Sequence, residues 1–283
     1  MINYIMLKLP QLLKQYRQQH QALPAFNIDS FEIFQAVEKA VIQTNLPCIV
    51  QLSSHEDDFI QAEKLFLLVR KANAEGLPIY LNMDHGHDLA RLEKLAKLGF
   101  DMLHFDGSDL DYSKNLNIAT DFSHHLKTIN PNIVVEVEFN KIISVGHQIS
   151  PESFTKIEQA LEFMQTSQAD LLAVSIGNLH GVNLDQPERL DLDLLANISQ
   201  HFSDQALFTL HGGSGISLDQ IKQAISLGIV KININTDLRL LFKKSLKQSL
   251  ANDPSLRIYN YMALPISQLQ QIIQQKLIDF THV

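Results

Sequence analysis

Three histidines, His85, His180 and His211, each follow a different apolar run, and each is itself followed by a glycine. Neutral imidazole is a good zinc ligand, and three such ligands with one open position suit a catalytic ion that polarises a carbonyl. The adjoining Gly86, Gly181 and Gly212 permit close backbone approach to a ligand. Any one of these histidines alone reads as an ordinary loop residue; the threefold pattern is what points to a site. Asp84 lies beside His85 in NMDHGHD (82–88), where an acid next to a metal can donate and accept a proton. Its bland alternative, capping the next helix, suits Asp88 better. Asp106 in HFDGSDL and Glu138 in VEVEF close two more apolar runs, within reach of a second or mobile metal ion. Strand alternation puts Glu136 one layer below Glu138, placed to orient a neighbour, and His104 below Asp106 as a hydrogen-bonded core histidine. His20, His124, His125, His201 and His282 fall on expected helix faces or tails and read as solvated.

The second signal is TLHGGSGISLDQIKQAI (209–225). Gly212, Gly213, Ser214 and Gly215 follow a strand and lead into a helix capped by Ser217, an arrangement whose amides and dipole favour an anion. The next strand ends in KININTD (231–237), and the loops after the last two strands of a barrel often build a phosphate site. A plain βα turn with a serine cap is the alternative.

The elements that position these residues recur along the chain. Strands are expected at Ala25–Ile28, Cys48–Leu52, Ile79–Asp84, Met102–Asp106, Val134–Phe139, Leu171–Ile176, Ala206–Leu210 and Val230–Ile234. Helical patterns lie between them, at Phe31–Gln43, Ile60–Glu75, Leu89–Leu98, Leu116–Ile129, Ser153–Thr166 and Leu218–Leu227 among others. One more precedes the first strand, at about Leu7–Gln19, and the tail from Leu264 to Phe280 is also helical in pattern. Near-continuous apolar strands imply a sheet covered on both faces. Eight strands alternating with helices predict an α/β fold, a (β/α)8 TIM barrel forming a single domain over residues 1–283. A doubly wound open sheet is the rival, but no GxGxxG follows the first strand. These polar residues would then share the C-terminal rim of the barrel, where such folds carry chemistry.

Composition is compatible with this. The chain has 283 residues, 45% of them hydrophobic, enough for a sizeable core. A net charge of −8 without a basic run argues against nucleic acid or an anionic membrane as partner. The sole cysteine, Cys48, excludes a disulfide framework and suits a reducing compartment. The N-terminal MINYIMLKLPQLLKQ has neither a long apolar segment nor a cleavage-site pattern, so a soluble cytoplasmic protein is expected.

Taken together, PAFNIDSFEIFQAV (24–37), NMDHGHD (82–88), GFDMLHFDGSDLDYSKNL (99–116), VEVEF (135–139), LLAVSIGNLHG (171–181), LFTLHGGSGI (207–216) and GIVKININTDLR (228–239) resemble the class II, zinc-dependent fructose-bisphosphate and tagatose-bisphosphate aldolases. The length and compact C-terminus are more similar to the tagatose branch. The resemblance implies His85, His180 and His211 as zinc ligands, with His87 only a neighbour, and Asp84 as the acid handling the proton on the C4 hydroxyl. It implies a dihydroxyacetone-phosphate site from Gly181, Gly212, Gly213 and Ser214 with Asn233, Ile234, Asn235 and Thr236, and places Ser53 and Asn27 in the same pocket. Zn2+, a monovalent cation such as Na+ or K+, a phosphorylated sugar substrate and a homodimer or homotetramer are further implications.

The chain also departs from that pattern. The family continues Glu-Leu-Gly into a glycine-rich loop with paired acids, one of them the enolisation base. Here EFNKIISVGHQISPES (138–153) has Asn140 in place of the glycine and no acidic pair. Asn82 stands where histidine is common, and Gly213 where the branch often has alanine. Glu152 is the only acid between Asn140 and Ser153; Ser150-Pro151-Glu152 reads as N-cap, N1 proline and first-turn acid of the next helix. Two rivals remain. His85-Gly86-His87 suggests a metal-dependent hydrolase, although such a pair normally closes the first strand. A non-catalytic or weakly active sugar-phosphate binder would keep the pocket and lack the base.

Overall fold

Eight parallel strands pair in chain order and the last returns to the first, closing a barrel. The computed structural model describes residues 6–147, 150–181, 189–202 and 207–282. The strands are β1 (Leu23–Asn27), β2 (Cys48–Leu52), β3 (Ile79–Gly86), β4 (Met102–Asp106), β5 (Val134–Glu138), β6 (Leu171–Ala173), β7 (Phe208–Leu210) and β8 (Ile229–Ile234). Around them run α1 (Leu9–Gln18), α2 (Phe31–Thr44), α3 (Ser54–Ile60), α4 (Ala62–Ala74), α5 (Leu89–Leu98), α6 (Tyr112–Ile129), α7 (Ile157–Ser167), α8 (Leu192–His201), α9 (Leu218–Ser226), α10 (Thr236–Asn252), α11 (Ile258–Tyr261) and α12 (Ala263–Thr281).

The barrel interior is layered by the period of two along each strand. At its N-terminal end Ala25, Ile49, Tyr80, Met102, Val134 and Leu171 form an apolar floor, and α1 plugs it with Leu9, Leu12, Leu13 and Tyr16. Two residues on, the filling turns polar: Gln51, Asn82, His104, Glu136, Thr209 and Lys231 are all buried. Two further residues reach the rim, with Asp84, Asp106, Glu138, His211 and Asn233. The outward residues, such as Phe26, Val50, Leu81, Leu103, Val135 and Ile232, join the helices in the main core.

Two expected helices break differently. The pattern at Ile60–Glu75 forms α4, whose start at Ala62 is set by Gln61 with φ 70°, and a short helix not expected from the sequence, α3, precedes it. The carboxylate of Asp57 takes the Ala62 N–H at 2.7 Å and is held by Arg91 through Nε and Nη2, each at 2.8 Å. Capping by a side chain thus starts a new helix and ties it to α5. Ser150-Pro151-Glu152 does not open α7; Pro151–Ser153 is a 3-10 turn, and α7 begins at Ile157. Thr155 explains the delay, because its N–H and Oγ1 bond Ser175 beyond β6, which holds that stretch out of the helix. Strand β7 is described from Phe208; Ala206, the expected start, lies outside the described residues.

Candidate active site

The polar rim surrounds a cleft of about 510 Å³ at the C-terminal ends of the strands. His85, His180 and His211 converge there from the ends of β3, β6 and β7. Their ring centroids are 4.9 Å (His85–His180), 4.6 Å (His85–His211) and 5.9 Å (His180–His211) apart. His85 sits in a β-bulge between Met83 and Gly86, with a left-handed φ of 49°. Such a conformation is costly for a residue with a Cβ and concentrates at functional sites. Its backbone N–H is accepted by His104 Nδ1 at 3.0 Å, which holds the bulge.

Partners fix which ring nitrogens are protonated. His85 Nδ1 donates to Asp106 Oδ2 at 2.7 Å, and His211 Nε2 donates to Glu136 Oε1 at 2.7 Å. The remaining nitrogens, His85 Nε2 and His211 Nδ1, face each other at 3.0 Å, and Asn233 Nδ2 lies 3.2 Å from His211 Nδ1. A protonated His85 donates its Nε2–H to the neutral His211 Nδ1, and a metal ion would take the place of that proton. His180 Nε2 is buried and has no hydrogen-bond partner among the described residues. Three imidazoles this close together are a donor set that suits a metal ion once His85 gives up its proton. One set of candidate ligand atoms is Asp84, His85, His104 and His211, which does not include His180. His104 is ill suited to join it because its Nδ1 lone pair already accepts the His85 N–H. His85, Asp106 and Glu138 form a second such group.

Electrostatics sort the acids. Burial alone would raise the Asp84 carboxyl, but the charge of His85 first, and then that of Lys231, holds it well below the usual range. Asn233 Nδ2 and Gln51 Nε2, each at 3.0 Å, occupy its two oxygens. Asp106 is likewise lowered against its burial, by the His85 hydrogen bond first. Glu138 goes the other way: burial, then the charge of Asp106, raises it well above normal, and its Oε2 has no hydrogen-bond partner among the described residues. Among the bases, burial would lower His85, yet Asp84 and Asp106 push it up to about 10. Burial lowers His180 to about 4 and His211 to about 3.

The expected phosphate side is assembled more selectively than its sequence suggests. Asn27, Ser53, Gly181, Gly212, Ser214, Asn233, Asn235 and Thr236 line the cleft. Gly212 has φ 64°, and a Cβ there would lie 1.8 Å from the Leu179 carbonyl oxygen, so no larger residue fits. Gly213 and Ile234 stand behind the wall: the Gly213 N–H is taken by the Asn233 carbonyl at 3.0 Å, and Ile234 is buried in the core. Helix α10, opening at Thr236, and α3, with Ser53 at its N-cap, have their N-termini at the cleft, while Ser217 caps α9 away from it. Glu152 is exposed and outside the lining, whose acids among the described residues are Asp84, Asp106, Asp109 and Glu138.

Sequence reasoning passed over Gln51, Glu56, Lys141, Lys231 and Arg239. Lys231 is fully buried and donates to Asn233 Oδ1 at 2.7 Å, with Glu136 Oε2 at 3.0 Å. A charge on the inward phase of the otherwise uncharged IVKINI was the available signal, matched by Glu136 in VVEVE. His87 does line the cleft, with Nδ1 bonded to the Asp106 carbonyl at 2.9 Å.

Comparison with known proteins gives concordant results. The family model described as fructose-bisphosphate aldolase class-II matches residues 7–283. A fructose-bisphosphate aldolase of Mycoplasma pneumoniae is 29% identical, over 90% of this chain and 88% of its own. A sulfofructosephosphate aldolase of Alkalicoccus urumqiensis is 31% identical, over 82% of this chain and 80% of its own. The crystal structure of the YdjI aldolase from Escherichia coli K12 superposes with a TM-score of 0.81 at 24% identity, covering 97% of this chain and 96% of that one, and supports the fold.

Proposed function

The chain belongs to the class II fructose-bisphosphate aldolase family, and from that premise we propose that it is a zinc enzyme that reversibly cleaves a ketose 1,6-bisphosphate, of fructose or tagatose type, into dihydroxyacetone phosphate and an aldehyde. As a family member it is an aldehyde-lyase, in a family that depends on metal. The observation that carries the zinc reading is the approach of His85 Nε2 and His211 Nδ1 to 3.0 Å beside His180 Nε2, which has no hydrogen-bond partner among the described residues. An ion held by these three nitrogens supplies Lewis-acid charge beside the substrate carbonyl.

The protein's own groups do the rest. Asp106 and Glu136 fix the tautomers of His85 and His211. Asp84, kept ionised and aimed by Asn233 and Gln51, takes the proton of the C4 hydroxyl as the C3–C4 bond breaks and returns it in the reverse direction. Gly181, Gly212 and Ser214, with Asn233, Asn235 and Thr236 at the α10 N-terminus, hold the phosphate of the dihydroxyacetone half. Gly213 and Ile234 support that wall from behind, and Asn27 and Ser53 complete it. Asp106 and Glu138 are proposed as the place of a second or mobile ion, and a monovalent cation, Na+ or K+, as a companion to the phosphate. A cytoplasmic homodimer or homotetramer is the assembly we propose; among the described residues no helix is long and apolar enough to cross a membrane.

The exposed position of Glu152 favours a second feature, slow enolisation, because no acid of the 150–153 turn reaches the cleft. Metal analysis of the purified protein together with an aldol-cleavage assay on fructose and tagatose bisphosphates tests the reading. Zinc near one per chain and cleavage of either sugar support it; a metal-free protein that leaves both sugars intact overturns it.

A further inference from the structure

Glu56 lies behind the cleft wall, 4% exposed, in the first turn of α3. Its carboxylate gathers four donors. Oε2 accepts from the Ser53 N–H at 2.6 Å and Asn27 Nδ2 at 2.9 Å. Oε1 accepts from Arg239 Nη2 at 2.7 Å and Asn235 Nδ2 at 3.2 Å. The four donors come from the ends of β1, β2 and β8 and from α10, and all four residues line the cleft. Glu56 touches no substrate space itself. A carboxylate offers about four lone-pair sites, and here each is occupied by a residue that faces the ligand.

We propose that Glu56 is a positioning residue, whose carboxylate holds Asn27, Ser53, Asn235 and Arg239 in the arrangement that receives the substrate phosphate. This rests on the aldolase reading above for the identity of the ligand. A capping-box role alone would need only the Ser53 N–H; the bonds to β1, β8 and α10 exceed it.

The same geometry makes the wall sensitive to pH. Arg239 also binds Asp29, through Nε at 2.6 Å and Nη2 at 2.9 Å, so two carboxylates share one guanidinium. Burial first, then the neighbouring Asp29, pushes Glu56 up to about 7, against the opposing bonds from Asn27 and Ser53. The charged groups facing Glu56 are Asp29 from the β1–α2 connection and Arg239 from α10. On α3 itself Asp57 is turned to Arg91, and His55 and Asp58 are exposed. Asp84, at the end of β3, is reached only through Asn27 and Gln51. Protonation gives Glu56 a hydrogen that must displace one donor, so the wall is complete only above this pKa.

The test is calorimetric binding of dihydroxyacetone phosphate to the metal-loaded protein at pH 8 and pH 6, for wild type, Glu56→Gln and Asp29→Asn. Glu56→Gln leaves at least two of the four donors without an acceptor. It should weaken binding at pH 8 about tenfold, the scale of one charge-assisted hydrogen bond, and raise KM in parallel while kcat stays within about threefold. From pH 8 to pH 6 the wild type should lose about tenfold more affinity than Glu56→Gln, since phosphate protonation is common to both. Asp29→Asn should move the wild-type midpoint to lower pH. Wild-type affinity and an unchanged pH profile in Glu56→Gln overturn the proposal. If that variant does not fold, an unshifted midpoint in Asp29→Asn does so instead. Binding without cleavage in the wild type would overturn the aldolase reading alone, whereas no binding at all would overturn both.

Discussion

Glu136→Gln removes the negative charge that the buried Lys231 ammonium faces at 3.0 Å, while keeping an oxygen that can accept from His211 in place of Oε1 and an NH2 that the Thr209 hydroxyl can accept. Both side chains are fully buried. Breaking a buried ion pair from one side typically costs about 3–5 kcal/mol, because the surviving charge stays in the interior. The unfolding entropy of a chain of 283 residues is about 0.6 kcal/mol/K, so the loss corresponds to a fall in Tm of roughly 5–8 °C. The sign with pH is fixed. Lys231 and the nearby histidines hold the Glu136 carboxyl below its ordinary 4.5 despite burial, so its contribution is complete above that value and disappears as acid protonates it. The gap between wild type and variant should therefore narrow below about pH 4.5. Urea unfolding of chelator-treated protein measures it free of metal linkage. Adding Lys231→Met removes the orphaned charge, and the double variant should recover at least about half of the loss. A single variant within about 1 kcal/mol of wild type, or a double variant no more stable than the single, would refute the ion-pair account.

His180→Ala should abolish metal binding, whereas His87→Ala should retain it, since His87 turns its Nδ1 to a carbonyl; full zinc occupancy in His180→Ala, read by elemental analysis, would sink the ligand assignment. Metal binding at pH 7.5 should release about one proton per chain, because His85 is raised to about 10 while His180 and His211 are already neutral; calorimetry in buffers of different ionisation enthalpy reads this, and release near zero would contradict it. Solvent deuterium should enter dihydroxyacetone phosphate at the same rate in Glu152→Gln as in wild type, given that Glu152 is exposed and off the cleft; exchange lost in that variant would show that the turn closes over the substrate.

Period and order were legible in the chain itself. Apolar runs alternating with helical patterns specify a barrel because each element needs a partner for its buried face. Once the strands are placed, period two puts Asp84, Asp106, Glu138 and His211 on one rim and Glu136 beneath it. Local chemistry also spoke early: Asp88 does cap α5, accepting the Ala90 and Arg91 N–H groups. Long-range contacts decided what spacing cannot. The left-handed bulge at His85 depends on His104 from the next strand, and the delayed start of α7 depends on Ser175. The choice between α9 and α10 for the anion side depends on which helix axis meets the cleft. Glu56 is the clearest case, since its own segment marks it only as a cap. Three of its partners, Asn27, Asn235 and Arg239, are separated from it by 29, 179 and 183 positions, and only closure of β8 onto β1 brings them to one carboxylate.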